Sequence, residues 1–583
     1  MEINKLIDNY LKRNDWRIKR NSNAPYSFGG LNKFITEEVS KEYWLNNVYT
    51  EDIRAAHESG SMHIHDLGGL TLYCCGYSLK KVLELGVTGV PNIPKSLPAK
   101  HFDAILNQLA NLTTIFQNEI MGAVAFSSFD TLLAPFIRED NLTYSEVKQS
   151  LQNYIFSINS NSRAGAEPAF SNLTFDLVIP EDLASQPIMI GGKFDWDHSY
   201  GEYQKEVDML NKAFCEIMLG GDANGNPFAY PIPTYSITDE TNWDNEVLDL
   251  VFEMAGKYGY PYFSNYMGSD MKPSDIRSMC CRMGLDLREL RKRNGGLFGS
   301  GDSTGSIGNV TINLPRLGYL ATDEQDLYNR LDKVLELACK SLEMKRAWLK
   351  NNVVGTGLIP AFDTYVGTID NHFSTVGIVG LNEMCENLCG SGLGYHTIKK
   401  VALRVLDHIR DYILRVQQQT GNLYNLEATP AESTCYSLAL KDREFFGDTI
   451  IQQGSGDNVY YTNSCHLPVS EVTSMFKLFN NQDDFQVKFT GGTVVHIYVG
   501  ASITSKQAKH IIKTICTNYK LPYISISPLI SSCEDHGFVK SLNGKCPICD
   551  KELKFYQRIT GYVRPIDNFN NGKLGEFRDR RQL

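Results

Sequence analysis

The sequence lacks any apolar run approaching the roughly 18 residues that a membrane-spanning helix needs, and Met1-Glu-Ile-Asn-Lys does not resemble a signal peptide. It also lacks low-complexity tracts and Ser/Pro-rich linkers. Nor is there an excess of positive charge: the net charge of −10 argues against a general nucleic-acid-binding surface. With 583 residues and 42% hydrophobic content, the chain is expected to form one large globular body.

The cysteines do not form an evident disulfide framework. There are 14 of them, several adjacent in sequence, which is typical of a reducing cytosol. We therefore predict a cytoplasmic protein that binds neither membranes nor nucleic acids.

A glycine-rich stretch at residues 295–308 lacks the Gly-Lys-Ser/Thr of a P-loop. It also precedes the β-rich run Val310–Leu314, whereas a phosphate-binding loop follows a strand and opens a helix. We interpret it as a flexible connection, not as a nucleotide-binding loop.

Four soft metal ligands stand near the C-terminus, in Cys533-Glu-Asp-His536 and Cys546-Pro-Ile-Cys549. Two such short pairs, each on a tight turn, are typical of a closed tetrahedral Zn²⁺ site. The alternative is coincidence in a cysteine-rich chain. A closed site leaves no position for a reacting water, so we predict a structural zinc ribbon.

Just beyond the ribbon lies Arg558-Ile-Thr-Gly561-Tyr562. From local spacing alone, Gly561 would be one more turn glycine among 47. Glycine is nevertheless the residue suited to carry a backbone radical, because a side chain would clash with the planar conformation that such a radical needs.

The tail resembles the glycyl-radical loop of the anaerobic (class III) ribonucleoside-triphosphate reductases, which are glycyl radical enzymes. The resemblance rests on Arg-x-x-Gly-Tyr followed by Asn568-Phe-Asn-Asn-Gly-Lys573-x-x-Glu576. Most relatives use four cysteines in the ribbon, so His536 is a departure. The resemblance implies that Gly561 stores the radical and that the ribbon supports its loop.

Other segments extend the resemblance from about residue 50 to the C-terminus. Without the resemblance, the adjacent Cys280-Cys281 would be interpreted as two small buried residues. The family places its thiyl radical on the cysteine before an arginine, which is Cys281 here. A redox cysteine on the first barrel strand corresponds to Cys74, the first of the adjacent pair Cys74-Cys75.

Two further motifs have structural and functional interpretations. His63 and His65 would share one face of a strand, as buried, hydrogen-bonded histidines or, less simply, as a metal pair. Thr429-Pro-Ala-Glu432 predicts a capping box, with Thr429 as the N-cap of a helix. The family has the same Thr-Pro-Ala-Glu beside its active site, so the helix N-terminus could bind phosphates and Glu432 could border the site.

The elements follow an α/β pattern, with helices predicted in residues 1–55, 101–160, 327–349 and 397–420 and β-rich runs between them. The resemblance implies a ten-stranded α/β barrel of two half-barrels with a central finger loop. We divide the chain into a catalytic barrel at 1–525, a zinc ribbon at 526–552 and a glycyl radical loop at 553–583.

The implied activity is anaerobic reduction of ribonucleoside triphosphates to deoxyribonucleotides for DNA replication. The implied partners are a radical-SAM activase carrying a 4Fe-4S cluster and S-adenosylmethionine, dNTP or ATP allosteric effectors, and a second copy in a homodimer. The alternatives are a glycyl radical lyase of the pyruvate formate-lyase type and a zinc-ribbon nucleic-acid-binding protein.

The electrons could come from formate or from a thioredoxin- or glutaredoxin-like dithiol protein. Cys280 stands where formate-type relatives have glycine, which favours the dithiol protein. Cys74 would then form a disulfide with Cys75 or Cys280. Cys75 is less suited to be the disulfide partner of Cys74, because the side chains of adjacent strand residues point to opposite faces of the sheet.

Overall fold

The computed structural model describes residues 3–13, 15–19, 26–160, 167–267, 276–278, 284–286 and 303–583. Cys280 and Cys281 lie outside these residues, as do residues 295–302 of the glycine-rich stretch. In the described part, no helix is both long and apolar enough to cross a membrane.

Helices surround a central sheet. The α-helices of the described residues are α1 Ile3–Lys12, α2 Phe28–Tyr43, α3 Glu51–Ser59, α4 Leu79–Leu85, α5 Phe102–Gln117, α6 Phe129–Glu139, α7 Tyr144–Ile158, α8 Glu181–Ala184, α9 Gln204–Gly220, α10 Glu246–Tyr258, α11 Leu314–Leu320, α12 Glu324–Asn352, α13 Pro360–Tyr365, α14 Leu381–Cys389, α15 His396–Thr420, α16 Thr434–Phe446, α17 Met475–Gln486, α18 Ser505–Asn518 and α19 Asn571–Asp579.

The strands are short, and most contribute to one sheet. In the described residues they are β1 Met62–Ile64, β2 Cys74–Gly76, β3 Val124–Phe126, β4 Ser171–Phe175, β5 Pro187–Ile190, β6 Lys193–Ser199, β7 Ile232–Ile237, β8 Tyr262–Asn265, β9 Ile276–Ser278, β10 Gly284–Asp286, β11 Thr304–Asn313, β12 Phe373–Val379, β13 Leu423–Glu427, β14 Val495–Val499, β15 Tyr523–Pro528, β16 Ile530–Cys533, β17 Gly537–Phe538, β18 Lys554–Arg558 and β19 Val563–Pro565.

Ten strands form the main path of the large sheet, in the order β13-β12-β11-β2-β3-β4-β7-β8-β15-β14. β2, β3, β4, β7 and β8 are mutually parallel, and they meet β11 and β15 in antiparallel pairs. The ends of the path are joined by backbone hydrogen bonds from Ala428 to Gly492 and from Gly491 to Leu426, each 2.7 Å long. These contacts close a barrel of two half-barrels, which confirms the predicted fold class.

The two faces of the barrel wall differ in polarity. On β11, after the register irregularity between Ser306 and Gly308, Val310 and Ile312 belong to the main apolar core, which lies between the strands and the outer helices. Alternate positions carry buried polar residues such as Asn309 and Thr311. Because successive strand residues point to opposite faces, this alternation gives the barrel an apolar outside and a polar inside.

The structure corrects part of the glycine-rich stretch. β11 begins at Thr304, so Gly305 and Gly308 are strand residues and not part of a flexible connection. A Cβ at Gly305 would collide with the carbonyl oxygen of Cys74 on the paired strand. Glycine therefore permits close pairing of the half-barrels here.

A second, four-stranded sheet has the order β17-β16-β18-β19. β15 extends to Pro528 and joins the barrel sheet, whereas β18 and β19, on either side of Gly561, join the ribbon sheet. The ribbon and the glycine loop therefore share one sheet.

Candidate functional site

Gly561 lies at the tip of the turn between β18 and β19. Arg558 pairs with Val563 at the point where the two strands enter the turn, and the amide of Ile559 donates to the carbonyl of Tyr562 across 3.0 Å. The tip packs against a small cluster inside the barrel that includes Tyr262 and Tyr523. The hairpin of the ribbon sheet thus places Gly561 inside the barrel.

Two side chains converge on the carbonyl oxygen of Gly561. Tyr262 donates its hydroxyl at 2.6 Å, and Arg558 donates through Nη1 at 3.0 Å. Arg558 is buried, lies 4.3 Å from the ring centre of Tyr262, and also donates to the carbonyl of Gly259. Both donors withdraw electron density from the carbonyl, which favours an unpaired electron on the adjacent Cα.

Tyr562 links the glycine loop to the Thr-Pro-Ala-Glu segment. Its hydroxyl donates to Oε2 of Glu432 at 2.6 Å, and its ring makes an edge contact with Phe170. Burial, and then the neighbouring Glu432, raise the pKa of Tyr562 well above its usual value, so the tyrosine is the proton donor in this pair.

The predicted capping box is wrong. α16 begins at Thr434 with Ser433 at its N-cap, and Thr429 lies before it in a segment that is neither helix nor strand. The Thr429 hydroxyl instead accepts from Nδ2 of Asn309 on β11 at 2.8 Å. Because the Thr429 hydroxyl is bound by Asn309 of the barrel lining, it does not cap a helix. The sequence pattern therefore marks a loop that is hydrogen-bonded to the barrel and not the start of a helix.

The C-terminal helix α19 anchors the loop. Asn570 caps it by accepting from the amide of Lys573, and its Nδ2 donates to the carbonyl of Glu432 at 3.2 Å. Gly572 packs so closely on Tyr436 that a Cβ added to Gly572 would lie only 2.7 Å from Cβ of Tyr436. The Asn-Asn-Gly-Lys motif is therefore explained by docking onto the segment that carries Glu432.

A buried ion cluster completes this anchor. Glu576 accepts from Lys573 and from Arg580, at 2.5 and 2.7 Å. Arg580 also donates to the carbonyls of Arg558 and Ile559, which lie three and two residues before Gly561. Burial would raise the pKa of Glu576, but the two cations lower it to about 2.

Cys74 and Cys75 are both buried on β2, but on opposite sides of it. Cys75 belongs to the main apolar core, and burial raises the pKa of its thiol. Cys74 is outside that core and pairs with Ser306, whose hydroxyl is 2.9 Å from that of Thr375. The redox candidate Cys74 therefore belongs to the polar lining.

The four predicted metal ligands come together, with one donor atom from each of Cys533, His536, Cys546 and Cys549 within 4.8 Å of the others. Nδ1 of His536 lies 3.6 Å from the sulfurs of Cys533 and Cys546. Tetrahedral Zn²⁺ with Zn–S bonds of about 2.3 Å requires ligand separations of roughly 3.7 Å. The donor set and its spacing therefore fit zinc.

Glycines in left-handed conformations shape the ribbon turns. Gly537 has φ +61° and Gly544 has φ +74°. A Cβ at Gly537 would collide with the carbonyl of Asn224, and Ser532 donates to Oδ1 of Asn226 at 2.6 Å. The ribbon thus docks onto the loop that follows α9.

The histidine rings near β1 pack against one another at tilted and edge-to-face angles, with His57 buried and His63 and His65 half-buried. The ring centres of His57 and His63 are 5.2 Å apart, and those of His63 and His65 are 4.8 Å apart. His65 is hydrogen-bonded to Thr311 at 2.7 Å. Burial lowers the pKa of His57 to about 3 and that of His65 to about 4, so these rings are neutral.

The structure thus brings Gly561 and Glu432 together through Tyr562, and it holds the four ribbon ligands apart from them as a separate group. Sequence reasoning missed Tyr262 and the role of Arg558. Arg558 was visible as the first residue of Arg-x-x-Gly, whereas Tyr262 is separated from Gly561 by 299 residues and had no sequence signal.

Comparison with known proteins agrees with this geometry. The family model described as anaerobic ribonucleoside-triphosphate reductase matches residues 20–582. Among curated proteins, the chain is 23% identical to the anaerobic ribonucleoside-triphosphate reductase of Haemophilus influenzae, over 93% of this chain and 80% of that one. It is 22% identical to the enzyme of that name from Enterobacteria phage T4, over 100% and 99% of the two chains.

Among solved structures, the anaerobic ribonucleotide reductase of Thermotoga maritima in complex with dATP and CTP superposes with a TM-score of 0.76 at 20% identity. The match covers 99% of this chain and 98% of that one. The lyase alternative is the weaker interpretation, since the family model and both curated relatives carry the reductase name. The chain therefore belongs to the anaerobic ribonucleoside-triphosphate reductase family, a family of oxidoreductases.

Proposed function

We propose that this protein reduces ribonucleoside triphosphates to 2′-deoxyribonucleoside triphosphates without oxygen, with a radical stored on Gly561. The observation that carries the proposal is the insertion of the Gly561 turn into the barrel, where Tyr562 meets Glu432. The two hydrogen bonds to the Gly561 carbonyl support it, because they fix the backbone and polarise the carbonyl beside the radical carbon.

The radical would be used through a thiol. An activase removes a hydrogen atom from Cα of Gly561, and the glycyl radical then takes the hydrogen atom of the Cys281 thiol. The resulting thiyl takes the 3′-hydrogen of the ribose, and the 2′-hydroxyl takes a proton from the Cys74 thiol and leaves as water. Cys74 and its disulfide partner supply the two electrons that reduce C2′, and the Cys281 thiol then returns the hydrogen atom to C3′. The buried polar lining holds the substrate and excludes bulk water.

The ribbon residues Cys533, His536, Cys546 and Cys549 would hold a structural Zn²⁺, which supplies cross-linking and no redox chemistry. Because β18 belongs to the ribbon sheet and leads directly to Gly561, the cross-linked ribbon would hold the radical turn in register. This role agrees with a ligand set that leaves no open position for a reacting water.

The partners follow from the reaction. Storing a radical on glycine requires a radical-SAM activase with a 4Fe-4S cluster and S-adenosylmethionine. The Thermotoga maritima relative was solved with dATP and CTP, which supports an effector nucleotide and a nucleotide substrate here. We further propose a homodimer, dNTP or ATP effectors, a thioredoxin- or glutaredoxin-like reductant in preference to formate, and a cytoplasmic location. The division into segments 1–525, 526–552 and 553–583 remains part of the proposal.

The test is anaerobic activation of the full chain with a radical-SAM activase. Electron paramagnetic resonance should give a glycyl doublet, and addition of ribonucleoside triphosphate with a reductant should give deoxynucleotide. A doublet without deoxynucleotide, accompanied by acyl transfer to coenzyme A, would favour the lyase. Absence of both the doublet and deoxynucleotide would refute the proposed function.

A further inference from the structure

The wall of the barrel carries an amide whose hydrogen bonds are not made. Asn425 on β13 is fully buried, and neither Nδ2 nor Oδ1 of its side chain has a hydrogen-bond partner among the described residues. Buried amides in folded proteins are nearly always paired, because an unpaired one lowers the stability of the fold. Asn425 therefore calls for a partner that the described chain does not supply.

The alternation of side chains along β13 directs this amide into the barrel. Tyr424 and Leu426, the neighbours of Asn425 on the strand, belong to the apolar core between the strands and the outer helices. The Tyr424 hydroxyl donates to Glu343 of α12 at 2.7 Å, outside the barrel wall. Because successive strand residues point to opposite faces, the Asn425 side chain lies on the inner face. It packs there on Gly491, where a Cβ would stand 3.1 Å from Cγ of Asn425.

Asn425 ends a row of polar residues that begins at Cys74. Cys74 pairs with Ser306, and the Ser306 hydroxyl is 2.9 Å from that of Thr375. Thr375 is in turn the direct neighbour of Asn425 in the parallel pairing of β12 with β13. The four residues stand on the consecutive strands β2, β11, β12 and β13. Asn425 therefore faces the same interior as the redox candidate Cys74.

A second unpaired acceptor lies on the other side of Thr375. Asn309 of β11 is the direct neighbour of Thr375 and donates through Nδ2 to Thr429, but its Oδ1 has no hydrogen-bond partner in the described part of the chain. Adjacent strands are about 4.8 Å apart, so the Cα atoms of Asn309 and Asn425 are separated by roughly 10 Å. This part of the wall thus offers two carbonyl acceptors and one amide donor to a ligand in the barrel.

These groups suit the sugar of a ribonucleotide better than its other parts. A ribose hydroxyl can donate to an amide oxygen and accept from an amide nitrogen. Ionised phosphate oxygens only accept hydrogen bonds, so two amide oxygens would repel them. The four bases present different donor and acceptor edges, so an amide that recognised a base would restrict the substrates. Ribose, in contrast, is common to every ribonucleotide.

We propose that the Asn425 amide binds a ribose hydroxyl of the substrate and, together with Oδ1 of Asn309, holds the sugar in front of Cys74. The inference rests on the proposed function and adds to it a residue that orients the sugar. Substrate binding would complete hydrogen bonds that the free protein leaves unmade. Loss of the amide should therefore weaken substrate binding without weakening the fold.

Asn425→Leu tests the proposal, because leucine has a similar shape and no polar atoms. In the free protein, the variant should unfold at the wild-type temperature or above it in scanning calorimetry, since an unpaired buried amide is removed. In the activated full-length enzyme, with an unchanged glycyl doublet, kcat/KM for CTP should fall about 2- to 12-fold through loss of an uncharged hydrogen bond. UTP should lose the same factor, because it has the same sugar. The inhibition constant of 2′,3′-dideoxy-CTP, which lacks both hydroxyls, should stay at the wild-type value.

Asn422→Leu is the matched control, at an asparagine three residues earlier whose Nδ2 donates to Glu343 outside the barrel at 2.7 Å. It should show the opposite behaviour, with a lower unfolding temperature and wild-type kcat/KM values. If Asn425→Leu does not fold, Asn425→Ala provides the same kinetic comparison.

Two results would overturn the assignment of Asn425. Wild-type kcat/KM values combined with a lower unfolding temperature would make Asn425 a structural residue with a hidden partner, such as a buried water. A loss for CTP without a loss for UTP would move the contact from the sugar to the base. Failure of the wild-type enzyme to reduce CTP would instead count against the proposed function.

Discussion

The hydroxyl of Tyr562 donates a 2.6 Å hydrogen bond to Oε2 of Glu432, two residues that lie 130 positions apart in the sequence. Glu432 is 8% exposed, and its own carbonyl accepts from Asn570 beyond the loop. The Thr-Pro-Ala-Glu segment is therefore the surface onto which the radical loop docks, on both sides of Gly561.

Tyr562→Phe should loosen this docking. The substitution leaves the buried Glu432 carboxylate without this donor, at a cost of about 1–3 kcal/mol. Amide hydrogen exchange in residues 559–565 should then accelerate roughly 5- to 150-fold if local opening governs it. Tyr556→Phe, in the same sheet but without a side-chain hydrogen bond among the described residues, is the control. Equal exchange in the two variants would contradict the docking role.

Gly561→Ala should abolish the glycyl doublet after anaerobic activation. The activated native protein should also split at residue 561 on exposure to air and lose a short C-terminal fragment, and the variant should not. Gly220→Ala, at a glycine with open space around its Cα, is the control and should keep both properties. A persistent doublet in Gly561→Ala would place the radical on another residue.

Replacement of both Cys546 and Cys549 by alanine should remove bound zinc and prevent radical formation. The barrel should remain folded, because the ribbon sheet is separate from the barrel sheet. His536→Cys should keep zinc, since a fourth thiolate fits the same tetrahedron. Metal analysis and circular dichroism check these outcomes, with Cys516→Ala as a cysteine control on α18. Full zinc occupancy in the double variant would refute the ligand assignment.

Cysteine variants should distinguish storage of the radical on Gly561 from its use in turnover. Cys281→Ser and Cys74→Ser should each keep the glycyl doublet and lose multiple turnover. Cys75→Ser should remain active, because its thiol lies in the apolar core on the other side of β2. If Cys281→Ser retains turnover and Cys280→Ser loses it, then Cys280, and not Cys281, carries the thiyl radical.

The same assays distinguish the reductants. Each of reduced thioredoxin, glutaredoxin-like protein and formate is supplied alone, and turnover is expected with a dithiol protein, which resets a disulfide by thiol exchange. Cys280 is then the favoured partner of Cys74. Robust multiple turnover on formate, with none on either dithiol protein, would reverse this choice.

Glu576→Gln should destabilise the C-terminal anchor by about 3–5 kcal/mol at neutral pH, because Lys573 and Arg580 remain buried without their counter-ion. The pKa of Glu576 falls from 4.5 to about 2 on folding, so its contribution is complete above pH 4.5 and is lost as the pH falls toward 2. The variant should therefore be less acid-sensitive in that range. Hydrogen exchange of residues 571–579 measures this, with the exposed Glu444→Gln as control. An unchanged pH profile would contradict the assigned role.

The sequence by itself determined the local chemistry. The Cys/His spacing of the ribbon predicted four donors that do come together, because each pair needs only one tight turn. The α/β alternation and the resemblance predicted the barrel, and the motif around Gly561 identified the loop. These features depend on short-range geometry or on patterns long enough to be specific.

Only the tertiary structure decided which distant groups meet. The capping-box prediction failed because the Thr429 hydroxyl is bound by Asn309, a residue 120 positions away. The end of the glycine-rich stretch is strand because Gly305 lies against Cys74 of the neighbouring strand β2. The contacts of Tyr262 with Gly561 and of Tyr562 with Glu432 likewise join residues from separate elements. Such contacts arise when the barrel closes and buried polar groups must find partners, a global constraint that local spacing does not encode.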